Sequence, residues 1–222
     1  MTTESVPVIA IDGPSASGKG TVAQEVAKAL GFNYLDSGAL YRLVALAAMR
    51  EGIDVGDEEK VAALAVRLPV RFEGGDILLD DERVTDAIRS EACSAAASRA
   101  AALPAVRRAL LERQRSFRKP PGLVAEGRDM GSVVFPDARL KVFLTASPES
   151  RAERRYKQLK EKGIAATLPG LLQDLRERDA RDALRSVAPL KQSPGARLLD
   201  TTSMSAAQAT AHIVGWYHGA NG

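Results

Sequence analysis

The sequence predicts an α/β fold in which helices flank a parallel β-sheet. Two observations near the start of the chain lead to it: the apolar run Val8–Ile11 is typical of a buried strand, and apolar residues at helical spacing follow it until Gly31. The third observation is that the alternation returns later, with strands predicted at 123–125 and 140–144 and a helix after each region. Strands that alternate with helices form parallel sheets, because each helix carries the chain back to the same edge.

The segment between the first strand and the first helix has the spacing G-x-x-x-x-G-K of a P-loop, a phosphate-binding loop. Gly13 and Gly18 allow the backbone to curl so that successive N–H groups point inward, and the helix that follows adds its positive N-terminal end. Lys19 is expected to reach the outer phosphates of a nucleoside triphosphate. The residues predicted to bind the triphosphate are Gly13, Pro14, Ser15, Ala16, Ser17, Gly18, Lys19, Gly20 and Thr21.

Position 20 departs from the usual P-loop, in which a hydroxyl residue follows the lysine. Here Gly20 follows the lysine and Thr21 comes one residue later, so at this point a direct bond from Thr21 to a metal ion stays open. His, Cys and carboxylate residues do not recur at metal-ligand spacing. We therefore assign no protein residue as a metal ligand.

Length and composition predict one globular domain over residues 1–222, with 45% hydrophobic and 27% charged residues. No apolar run approaches the roughly 20 residues that a membrane helix needs. Met1–Ser5 has neither a basic start nor an apolar signal core, and a single cysteine, Cys93, excludes an internal disulfide. We expect a cytoplasmic protein without a membrane partner.

The net charge of +3 is weak evidence for binding to nucleic acid. The arginines of the second half are mixed with acidic residues and form no basic tail. Aromatic residues make up only 5% of the chain, which is little for stacking bases. A basic cleft for small phosphorylated ligands explains the same charge balance, so we expect no nucleic-acid partner.

Residues 67–102 interrupt the alternation of strands and helices, and we predict an inset there. Strands at 70–72 and 77–79 with a turn at 73–76 form a hairpin, residues 83–84 add a short third strand, and a helix covers 90–101. So small a segment buries too little surface to fold independently.

Charged residues follow two predicted strands, at the sheet edge where α/β proteins bind ligands. Asp36-Ser37-Gly38 follows a strand at 32–35, and Ser37 is predicted to cap the helix at 39–50. Arg42 lies in the first turn of that helix, where a cation opposes the helix dipole. Arg128 and Asp129 follow the strand at 123–125. We interpret these charged residues as functional.

Two later helices carry charges in unusual positions. In the helix that begins at Pro148, three arginines share one face: Arg151, Arg154 and Arg155. In the helix at 169–184, a leucine stripe continues into Arg178, Arg181, Asp182 and Arg185. Charges on an inward face are costly unless a partner or ligand pairs them. The pattern therefore predicts a charged cleft.

A P-loop combined with several arginines indicates phosphoryl transfer. This reaction depends mainly on positioning and on stabilising the charge of the transferred group. Planar guanidinium groups match phosphate oxygens with two hydrogen bonds at once. An acceptor that is itself anionic explains why so many arginines are present.

Together these segments resemble the bacterial cytidylate kinases, a family of nucleoside monophosphate kinases. The likeness lies in residues 11–15 with 18–21, in 35–42, in 126–131 with 134–137, and in 177–182. It implies transfer of the ATP γ-phosphate to CMP or dCMP, with Mg²⁺ as cofactor. It also implies a P-loop NTPase-type sheet, a monophosphate-binding inset at 67–102 and a short lid at about 151–168. Gly20 followed by Thr21 is usual in this family, in which water largely holds the metal.

The resemblance further implies a role for each site residue. The residues around the cytosine are Ser37, Ser98, Arg107 and Asp129. Arg42 and Arg128 hold the monophosphate, Arg178 and Asp182 the sugar, and Arg185 lies between the two phosphates. Arg154 and Arg155 belong to the lid that closes on ATP. The catalytic set is Lys19, Arg128, Arg178 and Arg185.

Two alternatives remain open at this point. A P-loop kinase of another small acceptor, such as UMP or a shikimate-like molecule, retains Lys19 but does not act on CMP. A P-loop protein that binds nucleic acid shows strongly salt-dependent binding to oligonucleotides. We expect the kinase, acting as a monomer.

Overall fold

The computed structural model describes residues 6–73, 76–161 and 163–219. The chain forms two compact units: one comprises the chain up to Leu35 and from Phe117 onward, and the other is Asp36–Ser116. The strands are β1 (Val8–Asp12), β2 (Asn33–Asp36), β3 (Val70–Glu73), β4 (Asp76–Leu79), β5 (Glu82–Arg83), β6 (Leu123–Gly127), β7 (Leu140–Thr145) and β8 (Arg197–Asp200). The helices are α1 (Lys19–Leu30), α2 (Ser37–Arg50), α3 (Glu58–Arg67), α4 (Glu91–Ala100), α5 (Pro104–Arg115), α6 (Pro148–Glu161), α7 (Leu168–Ala183) and α8 (Ala206–Gly219).

In the first unit, the described residues form a five-stranded sheet in the order β2-β6-β1-β7-β8. β1 pairs in parallel with β6 and β7, and β7 pairs in parallel with β8. The central strand β1 is buried along its whole length, as expected for a strand covered on both faces. Asp12, the last residue of β1, lies opposite Gly127, the last residue of β6, so the segments that follow these two strands leave the sheet at the same edge. The predicted α/β fold is confirmed.

α1 and α8 pack together with the sheet in one apolar core. Ile9 and Ile11 of β1 meet Val26 of α1 and Ile213 of α8, all fully buried. Each such side chain contributes about 1.5–3 kcal/mol through burial. α1 ends where predicted, at Gly31, whose φ of 65° places it in the left-handed conformation that ends helices. This core fixes the start of α1, and with it the end of the P-loop.

The second unit contains the helices α2 to α5 and, within the described residues, a three-stranded antiparallel sheet in the order β3-β4-β5. Val70 pairs with Leu79, and Leu79 pairs with Glu82. The predicted hairpin and the small antiparallel sheet are confirmed. Gly74 and Gly75 of the predicted turn lie outside the described residues. The predicted inset, 67–102, falls within this unit.

The N-cap of α2 is Asp36, so the prediction that Ser37 caps this helix is wrong. The Asp36 Oδ1 accepts the backbone N–H of Ala39 at 2.9 Å, and Ser37 is already the first residue of the helix. Strand β2 ends at Asp36, and no loop residue separates the strand from the helix. Both residue types are good N-caps, and the missing loop shifts the role one position toward the N-terminus.

Cys93 is buried in α4, as predicted for a small apolar residue of the core. Its Sγ donates to the backbone carbonyl of Arg42 at 3.1 Å. Burial raises the pKa of the thiol above its usual range. The described part of the chain contains no helix with the length and apolar character needed to cross a membrane.

Candidate active site

The loop between β1 and α1 is curled, as its glycines predict. Gly18 has a φ of +91° and Ala16 a φ of +57°, values that L side chains rarely adopt. At Gly13, a Cβ atom would lie 1.9 Å from the carbonyl oxygen of Leu144 in the neighbouring strand β7. Any side chain at position 13 is therefore excluded. The close approach of β7 explains the first glycine of the motif, and the left-handed turn explains the second.

Lys19 is the first residue of α1, and its side chain lies inside the loop. It is 6% exposed, and its Nζ donates to the carbonyl oxygen of Pro14 at 2.8 Å. The pKa of Lys19 is lowered to about 7, mainly by burial; the charges of Arg128 and Arg178 add to the lowering, and those of Glu126 and Asp12 partly oppose it. Negative charge brought into the loop therefore stabilises the protonated ammonium group. A triphosphate supplies such charge.

The structure explains why position 20 is a glycine, which the sequence alone does not. A Cβ at this position would lie 3.0 Å from the Oε1 of Glu126, which is buried at the end of β6. The same Oε1 accepts the hydroxyl proton of Tyr34 at 2.7 Å. The space in which other P-loops place a Ser or Thr side chain is thus occupied by a carboxylate. Thr21 is exposed.

A charged cluster lies at the carboxyl end of α7, where the leucine stripe gives way to polar residues. Asp182 is 1% exposed; its Oδ2 accepts the Nε–H of Arg128 at 2.8 Å and its Oδ1 accepts a guanidinium N–H of Arg185. Burial raises the pKa of the Asp182 carboxyl, but the two arginines outweigh it, and the pKa lies below its usual range. The structure therefore brings Arg128, Asp182 and Arg185 into direct contact.

The other residues predicted around this cluster differ in their positions. Arg178 is half-buried on α7, and its charge acts on both Lys19 and Asp182. Asp129 is buried directly after β6. Arg181 is exposed, so its predicted inward position is wrong. One residue along a helix turns the side chain by about 100°, and Arg181 therefore leaves the face that Asp182 occupies.

Arg151 of α6 is a residue whose importance the sequence pattern did not reveal. Its guanidinium donates to both carboxylate oxygens of Asp179 on α7, at 3.1 and 2.7 Å. It also donates to the carbonyl oxygens of Ser15 in the P-loop, at 3.2 Å, and of Ala146, at 3.0 Å. Arg151 thus connects α6, α7 and the phosphate-binding loop. Its only sequence signal was the helical spacing that it shares with Arg154 and Arg155.

The two arginines predicted for the lid contact different partners. Arg154 donates to the carbonyl oxygen of Ser17 at 3.0 Å and to both the hydroxyl and the carbonyl oxygen of Thr201. Arg155 contacts the side chain of Gln158 at 3.5 Å. Lys162, within the predicted lid, lies outside the described residues. Arg154 is therefore at the P-loop itself.

In the second unit, Arg42 is held by the N-cap of its own helix. Its Nη2 lies 2.5 Å from the Oδ2 of Asp36, the residue that caps α2. The carboxylate offsets the unfavourable position of a cation in the first turn of a helix. Ser37 is buried beside it in the same turn. The unusual arginine that the sequence singled out is thus oriented by a carboxylate at its own helix start.

The other two predicted substrate residues of this unit are buried polar groups. Ser98 is 4% exposed, and its Oγ has no hydrogen-bond partner among the described residues. Arg107 is buried; it donates to the carbonyl oxygen of Ala101 at 3.2 Å and lies 5.7 Å from the centre of the Tyr41 ring. An unpaired buried hydroxyl costs free energy. A ligand group that bonds to Ser98 recovers that cost.

Within the ranges that the structure describes, no three His, Cys, Asp or Glu residues are grouped so that they could hold a metal ion. The carboxylate of Glu126 lies beside Gly20, in the first turn of α1. One carboxylate next to a phosphate-binding loop fits Mg²⁺, which retains several waters and binds through one or two carboxylates and the substrate phosphates.

Comparison with known protein sequences gives matches over almost the entire chain. The profile of the cytidylate kinase family matches residues 9–218. The chain belongs to this family. The cytidylate kinase of Polynucleobacter asymbioticus is 59% identical over 216 residues, which cover 97% of this chain and 98% of that protein. The cytidylate kinase of Nitrosomonas eutropha is 58% identical over 217 residues, 98% and 97% of the two chains.

The family resemblance inferred from the motifs is therefore confirmed. A crystal structure of an uncharacterized protein from Eubacterium ventriosum superimposes with a TM-score of 0.50 at 13% identity, over 96% of this chain and 98% of that one. This likeness concerns the fold alone. The family profile includes residues of both compact units. The P-loop and the polar residues of the second unit therefore both lie in the part of the sequence that matches the cytidylate kinases.

Proposed function

We propose that this chain is a kinase that transfers the γ-phosphate of ATP to CMP and dCMP, and so forms CDP and dCDP. The observation that carries the proposal is the match to the cytidylate kinases, at 59% identity over 97% of the chain. The curled P-loop supports the donor half of the reaction, and the arginines supply the charge that an anionic acceptor needs.

For the donor nucleotide, the backbone N–H groups of residues 13–21 and the ammonium of Lys19 hold the triphosphate. Lys19 exchanges its hydrogen bond to Pro14 for the outer phosphate oxygens, which carry negative charge. Arg154 and Arg155 contact ATP from helix α6, in the predicted lid at 151–168. The position of Arg154 at the carbonyl of Ser17 supports this role.

For the acceptor nucleotide, Ser37, Ser98, Arg107 and Asp129 bind the cytosine. The unpaired hydroxyl of Ser98 supports this assignment, because it lacks the partner that a base edge can provide. Arg42 and Arg128 bind the monophosphate, and Arg178 and Asp182 bind the sugar. Arg185 stabilises the charge between the two nucleotides. Its hydrogen bond to Asp182 keeps the guanidinium in place before the substrates arrive.

Mg²⁺ is the cofactor of the proposed reaction. When bound, it neutralises charge on the phosphate oxygens of ATP. In this chain Gly20 leaves no hydroxyl directly after Lys19, while the Glu126 carboxylate occupies that space. We therefore propose that phosphate oxygens and water provide most of the metal's ligands, and that Glu126 accepts a hydrogen bond from one of these waters.

The same proposal covers the organisation of the protein. The entire chain acts as a single P-loop kinase domain with a monophosphate-binding inset at 67–102. It acts as a monomer in the cytoplasm, without a nucleic-acid or membrane partner. Family membership supports small nucleotide substrates.

Production of ADP in the presence of ATP, Mg²⁺ and a panel of acceptors tests the proposal. We expect turnover with CMP and dCMP, and at least about a hundredfold lower kcat/KM with AMP and GMP, since a site whose polar groups bond to one base leaves them unpaired with another. Equal turnover with UMP identifies a broader pyrimidine kinase. Turnover with none of these nucleotides overturns the proposal.

A further inference from the structure

Asp12 is a buried carboxylate at the end of the central strand. It is 4% exposed and lies between Gly127 of β6 and Phe143 of β7. A buried charge is costly unless hydrogen bonds or an opposite charge stabilise it. Its position directly before Gly13 places it where the chain enters the P-loop. Neither the phosphate-binding loop nor the arginine cluster accounts for this residue.

The hydrogen bonds of Asp12 point to the acceptor-binding segment. Its Oδ1 accepts the N–H of Met130 at 2.8 Å, and its Oδ2 accepts the N–H of Gly131 at 2.8 Å. These two amides begin the single helical turn at Met130–Val134, and amides at a helix start have no partner within the helix. Asp12 therefore supplies the cap of this turn from another strand.

The residue in the N-cap position, Asp129, does not itself cap the turn. Its side chain makes no capping hydrogen bond, although Asp is among the best N-cap residues. Asp12 takes this role with both of its oxygens. As a consequence, the backbone that carries Arg128 and Asp129 is fixed on its C-terminal side.

We propose that Asp12 is a positioning residue for phosphoryl transfer, whose carboxylate fixes the Arg128–Asp129 segment in the orientation that the acceptor nucleotide requires. The proposal rests on the proposed function, because it assigns Arg128 and Asp129 to the acceptor. Asp12 touches neither substrate. It acts through two amides and connects the strand that leads into the donor loop with the segment that binds the acceptor.

The ionised carboxylate of Asp12 holds the amides of Met130 and Gly131, an arrangement we call the clamp. The pKa of the Asp12 carboxyl is raised to about 6, mainly by burial and also by the Asp129 carboxylate, while the amides of Gly131 and Met130 and the charge of Lys19 partly oppose the rise. Near pH 7.5 the carboxyl is ionised, and both oxygens accept hydrogen bonds. Protonation below about pH 6 turns one oxygen into a donor and opposes one of the two amides.

The substitution Asp12→Asn tests the clamp at nearly constant volume. The amide retains one acceptor oxygen, but its NH₂ group faces a second N–H donor. We expect the KM for CMP to rise about tenfold, the factor that corresponds to the loss of one hydrogen bond to a charged group, with the KM for ATP changed by less than about threefold. Equal rises in both KM values overturn the proposal.

Asp57→Asn is the matched control. Asp57 caps α3 by accepting the N–H of Lys60 at 3.2 Å, so the change removes the same type of carboxylate cap away from the acceptor segment. We expect it to lower thermal stability and to leave both KM values unchanged. If the KM for CMP rises to a similar extent in this variant, any loss of a helix cap weakens CMP binding by destabilising the protein, and the proposal is overturned.

Amide hydrogen exchange tests the clamp independently of the reaction. In Asp12→Asn, we expect one of the two amides, that of Met130 or that of Gly131, to exchange at least about tenfold faster, because its buried acceptor is lost. Unchanged exchange overturns the clamp, whereas an inactive wild-type enzyme overturns the proposed function instead. If the variant does not fold, the wild-type amide shifts of residues 130 and 131 are followed against pH. A shared midpoint near 6 supports the clamp, and no shift contradicts it.

Discussion

At the scale of single residues, Lys19 is the group on which the donor half of the account depends. Replacing it by alanine removes a buried amino group that the loop holds next to the expected phosphates. We expect kcat for CMP to fall by at least about a hundredfold, the usual loss when one preorganised charged donor is removed. Steady-state kinetics measures this loss, and circular dichroism is expected to show an intact fold.

The control for Lys19→Ala is Lys28→Ala, on the same helix. Lys28 is exposed in the last turn of α1, so its loss is expected to leave kcat within about twofold of the wild type. Near-wild-type turnover of Lys19→Ala contradicts the P-loop assignment. A comparable loss in both variants means that α1 is destabilised, and the catalytic role of Lys19 then lacks support.

The lowered pKa of Lys19 has a measurable consequence for ATP binding. With a pKa of about 7, the side chain is mostly neutral at pH 8, because burial disfavours the ammonium form. Bound phosphates restore the preference for the charged form, so binding of ATP at pH 8 is expected to take up close to one proton. At pH 6 the side chain is already protonated, and the uptake is expected to fall toward zero.

Calorimetry in buffers of different ionisation enthalpy measures this uptake. The variant Lys19→Met keeps the size of the side chain and lacks the titrating group, so it is expected to bind ATP more weakly and without uptake at pH 8. A binding enthalpy that does not depend on the buffer at pH 8 in the wild type contradicts the account. Uptake that persists in Lys19→Met assigns the proton to another group.

At the scale of elements, Arg151 joins two helices and the phosphate loop. Arg151→Met leaves Asp179 of α7 without its bidentate partner and removes the hydrogen bond to Ser15. The Arg151 side chain is 4% exposed and that of Asp179 is 27% exposed. We expect a loss of about 3 kcal/mol in the free energy of unfolding, at the lower end of values for broken buried pairs. Urea denaturation measures it.

Arg176→Met is the matched control on α7. Its ion pair with Glu149 also joins α7 to α6, but both side chains are more than half exposed, so we expect a change below about 0.5 kcal/mol. The double variant Arg151→Met, Asp179→Leu is expected to recover part of the loss, because it leaves no unpaired charge. Equal stability of the two single variants contradicts the structural role of Arg151.

The elements themselves were largely predictable from local sequence. The P-loop, the strands β1, β6 and β7, and the hairpin of the second unit follow from periodicity and glycine positions, which act within a few residues. The prediction assigned the N-cap of α2 to Ser37 instead of Asp36, because the two residues are adjacent and both residue types are good N-caps. The exposure of Arg181 was missed because the apolar stripe ends before this point, and charges at adjacent positions do not reveal which of them faces inward.

The contacts that complete the site were not predictable in the same way. Glu126 occupies the space beside Gly20, and Arg151 pairs with Asp179, in each case between residues far apart in the chain. Such contacts depend on how strands and helices pack, and spacing along the sequence does not encode them. Asp12 illustrates this point, because its capping role is visible only once β1 is placed beside β6.

At the scale of the whole molecule, many charged side chains are arranged in pairs. The net charge is only +3 because carboxylates balance most of the arginines, and in both compact units some of them form ion pairs, such as Arg128 with Asp182 and Arg42 with Asp36. These pairs hold the guanidinium groups in place before substrates bind. Preorganised charge of this type accelerates phosphoryl transfer without the need for a covalent intermediate.

The most direct measurement follows the labelled γ-phosphate of ATP. The enzyme is incubated with Mg²⁺, γ-labelled ATP and CMP, and the products are separated. The account predicts that the label appears in CDP, in proportion to the ADP formed, and that Lys19→Ala forms both products at least about a hundredfold more slowly. Release of the label as inorganic phosphate while CMP remains unchanged would contradict the account.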